Sequence, residues 1–207
     1  IFHALNQKAV ARRYAKSIGK KYEELNLIVV HLGGGISVGA HRKGLVIDVN
    51  NALNGEGPIS PERAGTVPSE ALATLCFSGK YTLNEVKKML HGKAGLAAYL
   101  GTSDMITIEE KAIEGKEPYK TLVAAMDYTV AKEIGAMFVA LKGQCDAIIL
   151  TGGIAYSGYC VADIKEQIEY LCKVVVLPGE NEMESLAENA FGALTGELPV
   201  LTYTGVA

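Results

Sequence analysis

The sequence predicts an α/β domain on a mixed five-stranded sheet, an antiparallel meander extended by parallel strands and flanked by helices. Three observations carry this. Segments 27–31, 37–41 and 45–49 are short and strand-like, and the connections between them are too short for a helix, so they pair antiparallel. Segments 147–151 and 173–177 are apolar strands separated by a helical pattern, so they join the sheet in parallel through a crossover. Finally, 207 residues with 49% hydrophobic and 21% charged side chains have the make-up of an ordinary globular core.

Each element follows from its local pattern. Residues 5–25 read as a helix because Val10, Tyr14, Ile18 and Tyr22 recur every fourth position. Arg12, Arg13, Lys16, Lys20 and Lys21 form its solvated face, and Gly19 weakens its end. Leu27 to His31 is fully apolar and β-branched, hence a buried strand, and Arg42-Lys43-Gly44 is a tight connection into the third strand. Residues 50–67 hold Gly55, Gly57, Pro58, Pro61 and Gly65 with no helical period. A loop of that length inside a compact domain is usually functional or disordered.

A helical insertion is expected at about 68–117. It contains a helix at 68–77 and a capping box, Thr82-Leu83-Asn84-Glu85, opening a helix that stops at Gly92. A second box, Thr107-Ile108-Glu109-Glu110, precedes a helix ending at Gly115. Pro118 suits the first turn of a long helix with the stripe Leu122, Met126, Val130, Ile134, Met137, Phe138 and Leu141, closed by Gly143. Ile164, Ile168 and Leu171 mark the crossover helix, and a last helix covers 183–194.

Charge and composition exclude several function classes. Lys+Arg 20 against Asp+Glu 23 gives a net charge of −3, without the basic face of a general nucleic-acid binder. The longest apolar run, 136–141, is far too short to span a bilayer. Cys76, Cys145, Cys160 and Cys172 form no Cys-x-x-Cys pair, and reduced core cysteines of a cytoplasmic protein are expected. The chain opens Ile1-Phe2-His3, without Met and already inside a pattern, so an upstream half is expected.

Two glycine turns carry possible chemistry. In His31-Leu32-Gly33-Gly34-Gly35-Ile36-Ser37 three glycines join a buried strand to its neighbour. They read either as a hairpin needing positive φ or as backbone N–H groups cradling an anion. No Gly-Lys-Ser/Thr follows, and a strand rather than a helix comes next, which excludes a Walker loop and a dinucleotide fingerprint. In Leu150-Thr151-Gly152-Gly153-Ile154 a buried strand ends in Gly-Gly, at the carboxyl end where parallel sheets place ligands. The long loop adds a single Arg63, read either as a solvated charge or as a planar fork aimed at a carboxylate or phosphate. His41 and His91 are read as structural.

Six segments in order resemble one family. These are Phe2-His3 before a helix, His31 to Ser37, Glu62-Arg63-Ala64-Gly65-Thr66, Thr102-Ser103-Asp104, Leu150 to Ile154, and Asn181-Glu182. Together they are similar to the carboxy-terminal half of the acetate and butyrate kinases, across essentially the whole chain. The resemblance implies the duplicated actin-like, ribonuclease H-like ATPase fold, with only its second half present. It also implies ATP/ADP and Mg2+ as cofactors, a short-chain carboxylate as substrate, and a cytoplasmic homo-oligomer with no nucleic-acid or membrane partner. Residue by residue, it gives His3 and Arg63 to catalysis. It gives His31, Gly33, Gly34, Gly35 and Asp104 to the nucleotide, with Gly152, Gly153 and Ile154 beside the adenosine. Phe2 borders the acyl pocket and Glu182 falls at a magnesium site, although Glu180, Glu182, Glu184 and Glu188 also read as a solvated acidic helix start. Ile106 stands where acetate kinases carry Arg, Gly34 where they carry Asn, and Ala155-Tyr156-Ser157 where they continue Gly-Glu-Asn, which leans towards the butyrate branch.

The implied reaction is ATP plus a short carboxylate giving an acyl phosphate and ADP. Such a carboxylate, with a pKa near the ~4.3 of a Glu side chain, is ionised at pH 7 and needs no general base. The difficulty is joining two anions, so positioning and positive charge are required. Two other expectations remain at this stage: a non-catalytic nucleotide-binding module of the same fold, and a sugar kinase, which needs a general-base Asp and offers only Asp48 beside the loop.

Overall fold

Five strands in the order β3-β2-β1-β4-β5 make one mixed sheet in the computed structural model, which describes residues 1–180, 182–198, 200 and 202, with the side chains of Glu182 and Ser185 outside that description. Strands β1 (Asn26–Leu32), β2 (Ile36–Arg42) and β3 (Leu45–Val49) form the expected meander. β4 (Ala147–Thr151) pairs parallel with β1 from Leu27↔Ala147 to His31↔Thr151, and β5 (Val174–Val176) pairs parallel with β4.

β1 and β4 are buried at every position because helices cover both faces of the sheet. The strand period of two divides their side chains. Ile28, Val30, Leu32, Ile148 and Leu150 point into one core with α6 (Tyr119–Ala140) and α7 (Gly158–Ile168). Leu27, Val29, Ala147 and Ile149 point into the other with Val10, Ala11 and Tyr14 of α1 (Ala4–Ser17). The insertion comprises α2 (Ser69–Cys76), α3 (Leu83–Leu90), α4 (Leu96–Leu100) and α5 (Met105–Ile113), and α8 (Glu182–Thr195) closes the described chain against α1. Among the described residues no helix is long and apolar enough to cross a membrane.

Local chemistry explains where expectations hold and where they do not. The capping box at Thr82 forms as expected: Glu85 N–H donates to Thr82 Oγ1 at 3.3 Å and Thr82 N–H to Glu85 Oε2 at 2.7 Å. The box expected at Thr107 does not. Asp104 takes the cap by accepting from Ile106 N–H and from Thr107 Oγ1, so α5 begins earlier and Thr107 already lies in its first turn. The first helix does not reach residue 25. Gly19 takes φ +69°, and bonds from Gly19 N–H to Lys16 O and from Lys20 N–H to Ala15 O end it as a Schellman motif. Ile18 is therefore exposed and Tyr22 lies in a separate 3₁₀ turn. The short α4 escapes a periodicity reading altogether. Of the four cysteines only Cys160 is a core residue; Cys76 is exposed, and the half-buried Cys145 and Cys172 are reduced thiols with Sγ atoms 3.1 Å apart.

One buried group defies the apolar logic of α6. Asp127 is fully buried, and neither carboxyl oxygen has a hydrogen-bond partner among the described residues. Burial first, then the nearby Asp163 carboxylate, pushes its pKa up to about 8. The unfolded chain releases this proton near pH 4, whereas the folded chain keeps it to about pH 8. Stability from this group is thus fully present below pH 4 and is lost as pH rises between the two values. Asp127→Asn is expected to remove that slope, so its stability advantage over the native chain grows from pH 5 to pH 8 by up to ~1.4 kcal/mol per unit. Urea unfolding of both full-length proteins at several pH values tests this, and parallel pH profiles count against it.

Candidate functional site

Parallel pairing of β1 with β4 sets two glycine turns side by side at the carboxyl ends of the strands. The first bridges β1 and β2 between Leu32 and its partner Ile36. None of Gly33, Gly34 and Gly35 takes the left-handed φ expected of a strained hairpin. The turn is closely packed instead. A Cβ on Gly33 would lie 3.2 Å from His31 Nε2, and one on Gly34 would lie 3.3 Å from Glu62 Oε2. In the second turn Gly152 does require its conformation, φ +90°, and a Cβ there would collide with the Leu32 backbone. Reciprocal backbone bonds with Gly179 and a Thr151 hydroxyl bond to Gly179 O hold this turn in place.

A cleft of about 520 Å³ opens between the turns. Gly33, Gly34, Gly153 and Ile154 line it, with Asp104 and Ile106 on one wall and Tyr156 and Glu180 on others. Its charged lining residues, Asp104, Glu109 and Glu180, are all acidic. Asp104 is engaged as the cap of α5, and the Thr107 hydroxyl bond holds its carboxyl below the usual range.

A smaller recess of about 130 Å³ lies at the other end of the first turn, lined by Ile1, Phe2, His3, Gly35, Ala52, Leu53 and Arg63. It brings Arg63 beside the distant Phe2 and His3. Arg63 is held from its backbone. Its N–H donates to Ser60 Oγ at 3.1 Å, Ser60 Oγ donates to Gly34 O at 2.7 Å, and Glu62 N–H donates to the same carbonyl at 3.1 Å. Gly95, with φ +62°, lets the turn before α4 press against the backbone of Ser60 and Arg63, where any Cβ would collide. The guanidinium sits near Gly35, with Nη1 3.5 Å from Glu62 Oε2. Its buried Nε has no hydrogen-bond partner among the described residues.

His3 and His31 stack with ring centroids 3.8 Å apart and planes 14° from parallel. Burial, then the neighbouring His3, lowers the His31 pKa to about 3, so the ring is neutral and its 3.8 Å approach to Glu180 Oε1 is not an ion pair. Asn6 Nδ2 donates to Glu180 O, which turns Asn6 Oδ1 towards His31 Nδ1 at 2.9 Å and puts the His31 proton on Nδ1. His3 Nδ1 lies 2.9 Å from Ser37 Oγ. Glu182 begins α8 in the backbone, but its side chain and all of Asn181 lie outside the described residues.

Sequence reasoning gave no individual role to Asn6, Gln7, Ser37, Glu62 or Ser103, whose hydroxyl reaches Glu62 Oε1 at 3.3 Å. A signal for the first two was present: Asn6 and Gln7 continue the Val10–Tyr14 stripe one turn earlier, so polar amides lie on a buried helix face.

The profile of the acetokinase family matches residues 1–192. A probable butyrate kinase of Phocaeicola vulgatus is 72% identical over 98% of this chain and 57% of its own length. A probable butyrate kinase of Bacteroides thetaiotaomicron is 56% identical over 98% of this chain and 58% of its own. The chain therefore spans somewhat over half the length of these curated relatives. Among solved structures, an acetate kinase from Porphyromonas gingivalis superposes with TM-score 0.82 at 22% identity, covering 92% of this chain and 54% of the other, which establishes the shared actin-like ATPase fold.

The close approach of the two turns is testable. Gly152→Ala in the full-length protein is expected to lower stability by more than about 1 kcal/mol, since both the left-handed conformation and the contact with Leu32 are lost. Chemical denaturation measures this, and an unchanged midpoint means that the turns are not pressed together.

Proposed function

Because the chain belongs to the acetokinase family, we propose that it forms the carboxy-terminal half of an enzyme that transfers the ATP γ-phosphoryl group to butyrate or a related short-chain carboxylate. The products are an acyl phosphate and ADP. The observation that carries this reading is the recess joining Phe2, His3, Gly35 and Arg63 at the end of the glycine turn whose other residues border the larger cleft. ATP lies in that cleft, with its adenosine against Gly152, Gly153 and Ile154 and beside Asp104. Its triphosphate runs along Gly33 and Gly34, past His31, so the terminal phosphoryl group arrives at Gly35 between the two sites.

The acid occupies the recess of about 130 Å³. Phe2 borders its alkyl chain. The carboxylate is already ionised at neutral pH, so the protein's work is to align it with the phosphorus and offset repulsion. Arg63 places its planar guanidinium on the transferring oxygens, and the buried, unpartnered Nε is a donor suited to them. His3 donates a hydrogen bond to the same group.

The cleft walls fit a metal-complexed nucleotide better than a bare one. Asp104, Glu109 and Glu180 line it without a Lys or Arg, so a free triphosphate would meet only like charge. A magnesium ion carried on nucleotide phosphates needs only one or two protein carboxylates. Glu182, two positions after Glu180, would hold that ion, which would supply neutralisation of phosphate charge.

Arg63→Ala in the full-length protein is expected to reduce acyl-phosphate formation by about 10³-fold or more while ATP binding stays within a few-fold. Arg63→Lys restores only part of the rate, because an ammonium lacks the bidentate fork. Trapping the acyl phosphate as a hydroxamate with butyrate, isobutyrate and acetate, alongside calorimetric ATP titration, measures both. Native turnover in Arg63→Ala removes this residue from the mechanism, and no hydroxamate from any acid with the native protein defeats the functional reading.

A further inference from the structure

A line of buried polar groups runs from the interior to His3. Tyr22 Oη lies 2.7 Å from His41 Nδ1, and His41 Nε2 lies 3.0 Å from Gln7 Oε1. Gln7 Nε2 lies 3.2 Å from Ser37 O and 2.9 Å from Ser37 Oγ, and Ser37 Oγ meets His3 Nδ1 at 2.9 Å. Gln7, Ser37 and His41 are completely buried.

Hydrogen-bond directions along this line follow from one fixed point. The Ser37 main-chain carbonyl only accepts, so the group of Gln7 facing it is the amide NH2. Gln7 Oε1 therefore faces His41, whose Nε2 must carry a proton. His41 is neutral at pH 7, because burial first and then Lys8 lower its pKa to about 4, so its Nδ1 is bare and accepts from Tyr22. In the other direction, Ser37 Oγ accepts from Gln7, and its hydroxyl proton points to His3 Nδ1, the remaining partner of that oxygen among the described residues. A neutral His3 then carries its proton on Nε2.

The strand beneath is shaped for this line. Gly39 lies in the middle of β2 without a left-handed φ, where a strand gains nothing from glycine. A Cβ there would collide with Gln7 Oε1 and lie 3.1 Å from His41 Nε2. Glycine at this position gives room to the Gln7 amide.

We propose that Gln7 is a positioning residue for phosphoryl transfer: through the Ser37 hydroxyl it keeps the His3 proton on Nε2, so that His3 meets the transferring group as a neutral hydrogen-bond donor. The inference rests on the acyl-kinase reading for its kinetic consequence, but not for the tautomer itself. Removing Gln7 frees the Ser37 hydroxyl to accept from His3 Nδ1–H, which leaves a bare Nε2 that repels phosphate oxygens.

The test uses the full-length protein labelled with 15N at histidine, with long-range 1H–15N spectra assigning ring protons and His3→Gln identifying the His3 signals. The native protein is expected to show the proton of His3 on Nε2. Gln7→Met and Ser37→Ala move it partly or wholly to Nδ1. Both variants lower kcat by about 10–100-fold with KM for ATP and acid within about twofold, as when the group orienting a functional histidine is removed. Tyr22→Phe lowers stability but leaves the His3 tautomer alone, because the Ser37 carbonyl still orients Gln7. A native His3 protonated on Nδ1, or a folded Gln7→Met with native kcat and native tautomer, overturns the proposal. If Gln7→Met does not fold, the native spectrum and Ser37→Ala decide it. If the native protein phosphorylates no short-chain acid, the functional reading fails and the tautomer shift alone decides the role of Gln7.

Discussion

Residues 31 and 151 are 120 positions apart, yet they pair in register as the last rung of the β1–β4 ladder, and every candidate ligand contact depends on that rung. Beyond it both chains must turn, and the second turn presses so closely on Leu32 that only glycine fits at 152. The outcome is a pair of glycine bends at the cleft, where Gly33, Gly34 and Gly153 line it. Backbone N–H groups suit a polyanion because they stay donors at any pH and cost no side-chain ordering. β5 contributes at one remove, since Gly179 clamps Gly152 from the far side.

The helical insertion serves the same end. Its connections bond repeatedly to the loop that carries Arg63: Ala64 N–H to Leu90 O, Gly92 N–H to Glu62 O, Leu96 N–H to Ser60 O and Ala97 N–H to Pro61 O. A loop of this length is not held by its own sequence. Here it is held between α3–α4 and the first glycine turn, which fixes the guanidinium beside Gly35 although the loop has no helix or strand of its own. Charge is divided between the two concavities. The large cleft has an acidic lining, whereas the small recess has Arg63 and His3.

The sequence by itself determined the elements whose cause is local. β-branched runs specified β1 and β4, the reciprocal Thr82–Glu85 cap specified α3, and the change of period from two to 3.6 placed the crossovers and so the mixed sheet. The order of short motifs also singled out Phe2, His3 and Arg63 before any geometry joined them. Local chemistry misleads where two caps compete, as at Asp104 and Thr107, or where a glycine reversal cuts a stripe that continues in the letters, as at Gly19.

Only the tertiary structure decided what a side chain faces. Nothing near Gln7 in sequence says that its amide will meet Ser37 and His41, 30 and 34 positions away, or that Gly39 will leave room for it. Asp127 sits on a stripe that reads as apolar, and its lost solvent comes from α7, more than 30 residues later. The physical reason is range. Helix and strand preferences act through neighbours within a few residues, whereas burial and hydrogen-bond direction are set by whichever distant segment the sheet brings alongside.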